Sequence, residues 1–300
     1  MSSSERFLQI LEYDESKTNA ARPRAGRVVL AALAVLAAIC IISAIDGYFR
    51  IAVNEYEIFN ELLPDEFDGF RIVQISDLHS KRYGDGNIRL LDAVLEQSPD
   101  IIALTGDFIE NADELPELGE LATELLKIAP VYFVSGNHDW ASGQIDAIAY
   151  LLDESGVRYL RNEYVELTVG SESIILAGVE DPNGYFDMKK PPEVVEDIRD
   201  RYPDSFVVLL GHRNYWPEKY PLLDVDVILC GHAHGGIIRV PFIGGLIGAN
   251  FDLFPPYTSG AYEEARYTMV VSRGLGDTLP VPRIFNNVHL PVIVLRKGAN

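Results

Sequence analysis

The sequence predicts an α/β fold, because short apolar runs of strand length alternate with segments of helical periodicity. Five of these runs have the continuous apolar character of strands that are buried on both faces. The polar positions after the first three runs recur at a fixed interval, with thirty residues from Asp77 to Asp107 and thirty more to Asn137. That interval is about the length of a strand, a crossover helix and the next strand. The five runs span residues 71–76, 101–105, 131–135, 206–210 and 225–230.

Two of the intervals between the runs carry a helical pattern of apolar residues. In residues 87–97 the apolar side chains recur on one side of a helix, and residues 116–127 show the same pattern. Parallel strands joined by these helices are therefore expected. Farther along the chain, the Gly170-Ser171 pair has the composition of a hairpin turn between strands at 164–169 and 173–179.

A polar motif stands directly after each of the five apolar runs, and together the motifs contain five of the six histidines. In α/β sheets, ligands bind outside the carboxyl ends of the strands, so these motifs are expected to converge on one site. A single histidine is more often a structural group than a ligand, but five in such motifs indicate a metal site. The motifs are Asp77-Leu78-His79, Gly106-Asp107, Gly136-Asn137-His138-Asp139, Gly211-His212 and Gly231-His232-Ala233-His234.

The chemistry of the motif side chains predicts which ions they bind. A mixed set of carboxylates, imidazoles and one amide suits Mn, Fe or Zn better than Ca or Mg, whose sites consist of oxygen atoms. Seven candidate ligands are also too many for one tetrahedral ion, which takes four. Two divalent ions are therefore expected. Ions about 3.5 to 4 Å apart are the usual arrangement for displacement at phosphorus.

At these motifs the chain resembles the calcineurin-like metallophosphoesterase family, from about residue 55 to residue 295. The motifs occur in the order of that family, each after a strand-like run. The resemblance implies a four-layer α/β/β/α sandwich, whose second sheet the alternation of strands and helices does not by itself reveal. More narrowly, four segments resemble the branch of membrane-anchored bacterial phosphodiesterases. These segments are Leu63-Pro64, residues 75–80, residues 231–236 and residues 272–276.

The resemblance also implies a role for each motif residue. His138 is expected to meet the substrate phosphate and to protonate the leaving oxygen, and Asp139 is expected to orient His138. Asp107 is expected to bridge the two ions. The other ligands are Asp77, His79 and His234 for one ion, and Asn137, His212 and His232 for the other.

Two further polar residues have more than one interpretation. Arg213 directly follows a predicted ligand, so it either contacts the substrate phosphate or forms an ordinary surface ion pair. The sixth histidine, His289, has no motif around it and is predicted to have a structural or surface role.

The N-terminal region predicts a membrane anchor. Residues 28–45 form an uncharged stretch of eighteen residues, which as a helix extends about 27 Å and just crosses a bilayer core of about 30 Å. Residues 1–27 are predicted to be a cytoplasmic tail and residues 46–300 an extracytoplasmic catalytic domain, because basic residues cluster before the stretch. A cleaved signal peptide is an alternative, although its polar region is shorter than this tail. A buried helix of the soluble domain is another. The basic residues are Lys17, Arg22, Arg24 and Arg27.

The charge distribution excludes one class of partner. The chain has a formal net charge of −20, and residues 46–300 hold 41 acidic and 20 basic side chains, a net of −21. Such a surface repels nucleic acid, whose binding requires Lys and Arg to neutralise phosphates. No nucleic acid partner and no protein partner are predicted, and the charge by itself supports solubility outside the cell.

The segment after the last ligands is unusually apolar for a loop. Residues 240–254 contain three phenylalanines, four isoleucines or leucines, and no Lys or Arg. One interpretation is a covered β-hairpin that packs on the second sheet. The other is an apolar rim beside the metal ions that accepts acyl chains or touches the bilayer.

The predicted function is metal-dependent hydrolysis of a phosphoester. A diester or pyrophosphate is favoured over a monoester, because His138 can protonate a poor leaving group. The expected substrate is a membrane phospholipid or a lipid-linked sugar phosphate, and a soluble phosphodiester is the alternative. A catalytically silent binding module on the same fold is a third interpretation, which the intact motifs oppose.

Overall fold

The computed structural model describes residues 22–248, 252–277 and 281–299, so residues 1–21 of the predicted tail lie outside the described part. The apolar stretch lies within helix α1 (Arg22–Phe49). Between Gly26 and Phe49, an 18-residue window has a mean hydropathy of 3.0, and none of its residues is buried. The helix is therefore long and apolar enough to cross a membrane. Its exposure contradicts the alternative of a core helix.

The first of two large sheets contains the first three predicted strands. Strands β2 to β5 run parallel, and β14 lies between β1 and β2, parallel to the former and antiparallel to the latter. The predicted strands at 71–76, 101–105 and 131–135 are confirmed to within one residue. The strands are β1 (Ala52–Asn60), β2 (Arg71–Ile75), β3 (Ile101–Thr105), β4 (Val131–Val134), β5 (Arg158–Tyr159) and β14 (His289–Lys297).

The second large sheet has the order β12-β13-β9-β8-β7-β6. Its four inner strands run parallel, and the edge strands β6 and β12 run antiparallel to their neighbours. The predicted hairpin with a turn at Gly170-Ser171 joins β6 to β7. The strands are β6 (Glu163–Val169), β7 (Glu172–Gly178), β8 (Val207–Leu210), β9 (Val227–Cys230), β12 (Gly260–Glu263) and β13 (Thr268–Val271). A separate small hairpin consists of β10 (Arg239–Val240) and β11 (Gly244–Gly245).

Helices cover the outer faces of both sheets and complete the four-layer sandwich that the sequence resemblance implies. The first sheet is covered by α2, α3 and α5, which share one apolar core with it. The second sheet is covered by α6 and α7. The helices are α2 (Ile88–Leu95), α3 (Leu115–Leu126), α4 (Asn137–Ala141), α5 (Ile145–Ser155), α6 (Pro191–Arg201) and α7 (Trp216–Lys219).

The core between the sheets explains why the inner strands read as continuous apolar runs. Side chains alternate across a strand, so Ile72 packs toward the second sheet while Val73 packs toward the helices. Leu176 of β7 and Leu229 of β9 meet Ile72 in the central layer, and all three are fully buried. Because both faces of each inner strand are covered, most residues of these strands are apolar.

This packing predicts a large cost for a cavity between the sheets. Leu176→Ala should lower the free energy of unfolding by about 2 to 5 kcal/mol, because the side chain leaves a void in the central layer. Leu222→Ala, at a leucine that is 73% exposed, should change it by no more than about 0.5 kcal/mol. Chemical denaturation of the detergent-solubilised chain measures both. Similar values for the two variants would contradict the central core.

Candidate metal centre

The carboxyl ends of β2, β3, β4, β8 and β9 meet at one edge of the sandwich. The structure brings all seven predicted ligands together there. Within each of three groups, the candidate ligand atoms lie within 4.8 Å of one another. Asn137 joins them through its Oδ1, which lies 3.1 Å from Nε2 of His212. The groups are Asp77, His79 and His234; His79, Asp107 and His138; and Asp107, His212 and His232.

The backbone at the ligands is strained. Five of the seven predicted ligands have φ between 47° and 67°, the left-handed region that residues other than glycine rarely adopt. Such conformations cost about 1 to 3 kcal/mol each and persist where the surroundings enforce them, typically at functional sites. Here they turn the chain sharply at the points where the strands end. The five residues are Asp77, His79, Asp107, His232 and His234.

The glycines of the motifs are required by close approach of the motifs to one another. A Cβ atom on Gly136 would lie 2.1 Å from Oδ1 of Asp107, and one on Gly231 would lie 2.2 Å from Oδ2 of Asp77. No side chain fits at either position. These two glycines therefore each allow a carboxylate from another strand to reach the site.

Asp139 does not contact the imidazole of His138 as predicted. Its buried carboxylate accepts hydrogen bonds from the backbone N–H groups of Asp107 and Gly136, both at 2.8 Å, and of Phe108 at 2.9 Å. As the residue after His138 in helix α4, Asp139 projects in a different direction, back into these loops. It therefore fixes the turn at Asp107 against the turn before Asn137.

Glu110 takes the place against His138 that was predicted for Asp139. Its two carboxylate oxygens lie 2.8 Å from Nδ1 of His138 and 2.6 Å from Nδ1 of His79. Burial opposes ionisation of Glu110, but these two hydrogen bonds lower its pKa to about 2. The same contact raises the pKa of His138. Glu110 was not predicted from the sequence, in which its only signal is its place three residues after Asp107.

These contacts also determine which nitrogen of each ring is available. Nδ1 of His79 donates to Glu110, and Nδ1 of His212 donates to the carbonyl oxygen of Thr105 at 2.9 Å. Each ring therefore directs Nε2 toward Asp107, whose Oδ2 lies 3.8 Å from His79 and 3.1 Å from His212. A second hydrogen bond that fixes the tautomer in this way is typical of metal-binding histidines.

The charge balance of the site requires cations. Burial lowers the pKa of His212, but the nearby carboxylates of Asp107 and Asp77 outweigh it and raise this pKa to about 10. Burial raises the pKa of Asp77, while His212 and His79 hold that of Asp107 far below its usual range. The imidazole and the carboxylates thus attract each other, and a bound divalent ion would take the place of an imidazole proton.

The donor set fits a pair of divalent ions. Oδ2 of Asp107 is buried and has no hydrogen-bond partner among the described residues. Nε2 of His79 and Nε2 of His212 lie on either side of this atom. It therefore occupies the position expected of a carboxylate that binds two ions. Nε2 of His234 lies 3.3 Å from Nε2 of His79 and 3.4 Å from Oδ1 of Asp77, so three donors face one point. Imidazole and carboxylate together suit a borderline transition metal.

Arg213 and His289 each had more than one interpretation. Arg213 is partly buried and His289 is fully buried. Arg213 forms an ion pair with the buried Asp181, at 2.6 Å, and its Nη1 lies 3.1 Å from Nε2 of His232. It is therefore part of the site rather than an ordinary surface ion pair. His289 is fully buried, and its Nδ1 accepts a hydrogen bond from the backbone N–H of Arg273. His289 is structural.

Comparison with known proteins identifies the class. The profile of the calcineurin-like phosphoesterase family matches residues 70–236. The chain is 31% identical over 267 residues to the uncharacterized metallophosphoesterase YkuE of Bacillus subtilis, covering 83% of this chain and 89% of that protein. It is 27% identical over 238 residues to phosphodiesterase YaeI of Escherichia coli, covering 77% and 83% respectively.

A third relative is similar over almost the whole chain. The transmembrane protein with metallophosphoesterase domain of Danio rerio is 24% identical over 308 residues, which covers 98% of this chain and 68% of that protein. The chain belongs to the calcineurin-like phosphoesterase family. It is a hydrolase of phosphoesters, and the family uses a site with two divalent metal ions.

The position of Asp107 predicts the effect of removing its charge. Asp107→Asn should reduce the metal content from two equivalents per chain to well under one, because both ions would lose a carboxylate ligand. Asp226→Asn, at a buried carboxylate of the second sheet away from the site, is the matched control and should retain both ions. Mass spectrometry of metals in purified protein measures the content. Unchanged content in Asp107→Asn would contradict a bridging role.

Proposed function

We propose that this protein is a membrane-anchored phosphodiesterase whose seven predicted ligands hold two metal ions. Oδ2 of Asp107, which lies between Nε2 of His79 and Nε2 of His212, would contact both ions. Bound ions of this kind neutralise phosphoryl oxygens and supply an acidic water for attack at phosphorus. The remaining ligands divide between the ions as Asp77, His79 and His234 for one, and Asn137, His212 and His232 for the other.

The observation that carries a catalytic function is the exposure of His138. Its side chain is 31% exposed, whereas those of His79 and His212 are 1% and 0% exposed. A ligand sphere needs no access to solvent, but a group that protonates a leaving oxygen must reach the substrate. Glu110 holds Nδ1 of His138 and raises its pKa, so a proton is retained on the ring for transfer from Nε2.

A cavity beside the metal centre favours a substrate with an organic group on each side of the phosphate. The cavity has a volume of about 530 Å³, and its lining runs from His212 and Arg213 to the aromatic residues Tyr185 and Tyr215. A monoester would leave much of this space unfilled. Arg213, which Asp181 fixes at the inner end, is placed to bind a phosphoryl oxygen.

The substrate class that we favour is a membrane phospholipid or a lipid-linked sugar phosphate. Helix α1 has the length and composition of a membrane anchor, and the relative YaeI bears the name phosphodiesterase. A soluble phosphodiester is the alternative. A catalytically silent binding module would not need His138 and Glu110 to be arranged for proton transfer. Turnover of an aryl phosphodiester with Mn, absent in a silent module, tests the catalytic function itself.

Proton donation predicts a dependence on the leaving group. His138→Ala should retain both metal ions yet lose about a hundredfold to ten-thousandfold in turnover of a diester with an alkyl leaving group. The loss should shrink sharply for a nitrophenyl ester, which leaves without a proton. Glu110→Gln should show the same dependence with a smaller loss, because the ring stays but is less firmly held. Equal losses on both substrates would mean that His138 does not donate the proton.

The distribution of basic residues predicts that the catalytic domain lies outside the cytoplasm. Lys17 and three arginines precede the apolar stretch, and Arg50 with acidic neighbours follows it. Protease added to intact protoplasts should degrade the domain and spare a tag at Ser2. Lysed protoplasts serve as the control in which both are cut. Protection of the domain in intact protoplasts would place it in the cytoplasm.

A further inference from the structure

Outside helix α1, several highly exposed apolar side chains lie together around one hairpin. Phe242 and Ile243 occupy the turn between β10 and β11, and with Phe285 they line one groove of about 320 Å³. Leu253 and Phe254 lie beside them, because Phe254 donates a backbone hydrogen bond to Leu246 and Leu253 pairs with Ile247. We name the surface of Phe242, Ile243, Leu253, Phe254 and Phe285 the apolar rim.

The exposure of the rim distinguishes between the two interpretations of residues 240–254, a covered hairpin and an apolar rim. Phe242 is fully exposed and Ile243 is 67% exposed. The described residues 240–248 and 252–254 of the segment therefore do not form a covered hairpin on the second sheet, and Phe251 lies outside the described residues. Exposed apolar patches of this kind, on soluble surfaces, usually mark a binding site for a partner or a membrane.

The rim lies beside the end of helix α1. The backbone N–H of Phe285 donates to Oγ of Ser43 at 2.6 Å, and that of Val288 donates to the carbonyl oxygen of Gly47 at 3.1 Å. A Cβ on Gly47 would lie only 2.5 Å from the carbonyl oxygen of Arg283. The loop that carries Phe285 therefore packs directly on the last turns of the helix.

The contact between Phe285 and Ser43 determines where the rim lies along the membrane normal. The uncharged stretch of 28–45 is only about 27 Å long as a helix, so nearly all of it is needed to cross a core of about 30 Å. Ser43 then lies at the edge of the hydrocarbon. Phe285, which is bonded to Ser43, lies at the same level, and Phe242 shares its groove.

The same loop connects the rim to the metal centre. Nδ2 of Asn286 donates to the carbonyl oxygen of His234 at 2.7 Å and to that of Ile237 at 2.9 Å. Arg239 at the start of the hairpin donates its backbone N–H to Ile284. Asn286, which directly follows the membrane-level Phe285, thus contacts the predicted ligand His234.

The charge of this face also suits a membrane surface. Within residues 235–254 and 281–288 the only acidic residue in the sequence is Asp252, although the domain as a whole carries a net charge of about −21. Anionic lipid repels an acidic domain, and this face, which has few acidic residues, is repelled least.

From these contacts we propose that the apolar rim inserts into the lipid bilayer beside helix α1 and holds the metal centre at the membrane surface. The proposal rests on the membrane anchorage in the proposed function, and it adds a second attachment whose partner is bilayer lipid. Substrates with a lipid group would then reach the site from the plane of the membrane.

Spin-label accessibility tests the inserted rim without any turnover. The full chain with Phe242→Cys and Cys40→Ala is labelled with a nitroxide and reconstituted in vesicles of phosphatidylethanolamine and phosphatidylglycerol. Cys230 is fully buried and should not react. Tyr150→Cys, at an exposed residue of α5 near the opposite edge of the first sheet, is the matched control in the same background.

Insertion predicts that the label at 242 relaxes more strongly with oxygen, which concentrates in hydrocarbon, than with a water-soluble nickel chelate. The label at 150 should show the reverse, with a difference of several-fold between the two ratios. A label at 242 that is as accessible to the chelate as the control overturns the proposal. A label protected from both reagents also overturns it, because a protein partner or second copy would then cover the rim.

The measurement separates this proposal from the proposed function. A chain that fails to hydrolyse any phosphodiester would contradict the function but would leave the accessibility ratios unchanged. Metal content in both labelled variants confirms that the domain is folded. Both substitutions replace exposed side chains, so little effect on folding is expected.

Discussion

The rest of the structure depends on the burial of two carboxylates, Asp77 and Asp107, next to each other at the junction of the two sheets. Both are almost completely inaccessible to solvent, and two buried carboxylates repel each other and lose their hydration. Such a pair persists only with cations between or beside it. Nε2 of His212 lies 3.1 Å from Oδ2 of Asp107, and two divalent ions would compensate both carboxylates. The strained turns at the ligands, and the glycines that leave space beside the carboxylates, allow both side chains to occupy this buried position.

Neither sheet alone contains the site, so packing of the sheets and assembly of the metal centre are coupled. The first sheet supplies four predicted ligands and the second supplies three. Hydrogen bonds cross between the sheets immediately below the site: Nε2 of Gln74 donates to the carbonyl oxygen of Cys230 at 2.9 Å, and the backbone N–H of His232 donates to Asp77 at 2.9 Å. Polar groups buried at this depth are costly unless they are paired, so these contacts also specify the relative position of the sheets.

Local patterns were sufficient to predict the strands and the convergence of their motifs, because buried strands read as apolar runs and their carboxyl ends share one edge. They were insufficient for partners that depend on loop conformation. Glu110 reaches His138 across twenty-eight residues only because the chain turns at Asp107 with φ of 59°, a conformation that no periodicity signals. For the same reason the contacts of Asp139 with the neighbouring loop, and the exposure of Phe242, required the structure.

The junction of helix α1 with the catalytic domain links the fold to the choice of substrate. Only two residues separate Phe49 from β1, and Lys81 and Arg89 donate to the carbonyl oxygens of Tyr48 and Phe49, where cations also oppose the negative end of the helix dipole. Such a junction leaves little freedom for the domain to swing. With the helix in a bilayer, the metal centre would stay at one height and would reach only those phosphoesters that the membrane presents there. A flexible tether would allow soluble substrates and lipids alike, whereas under the proposed function this short connection would make position relative to the bilayer a determinant of specificity.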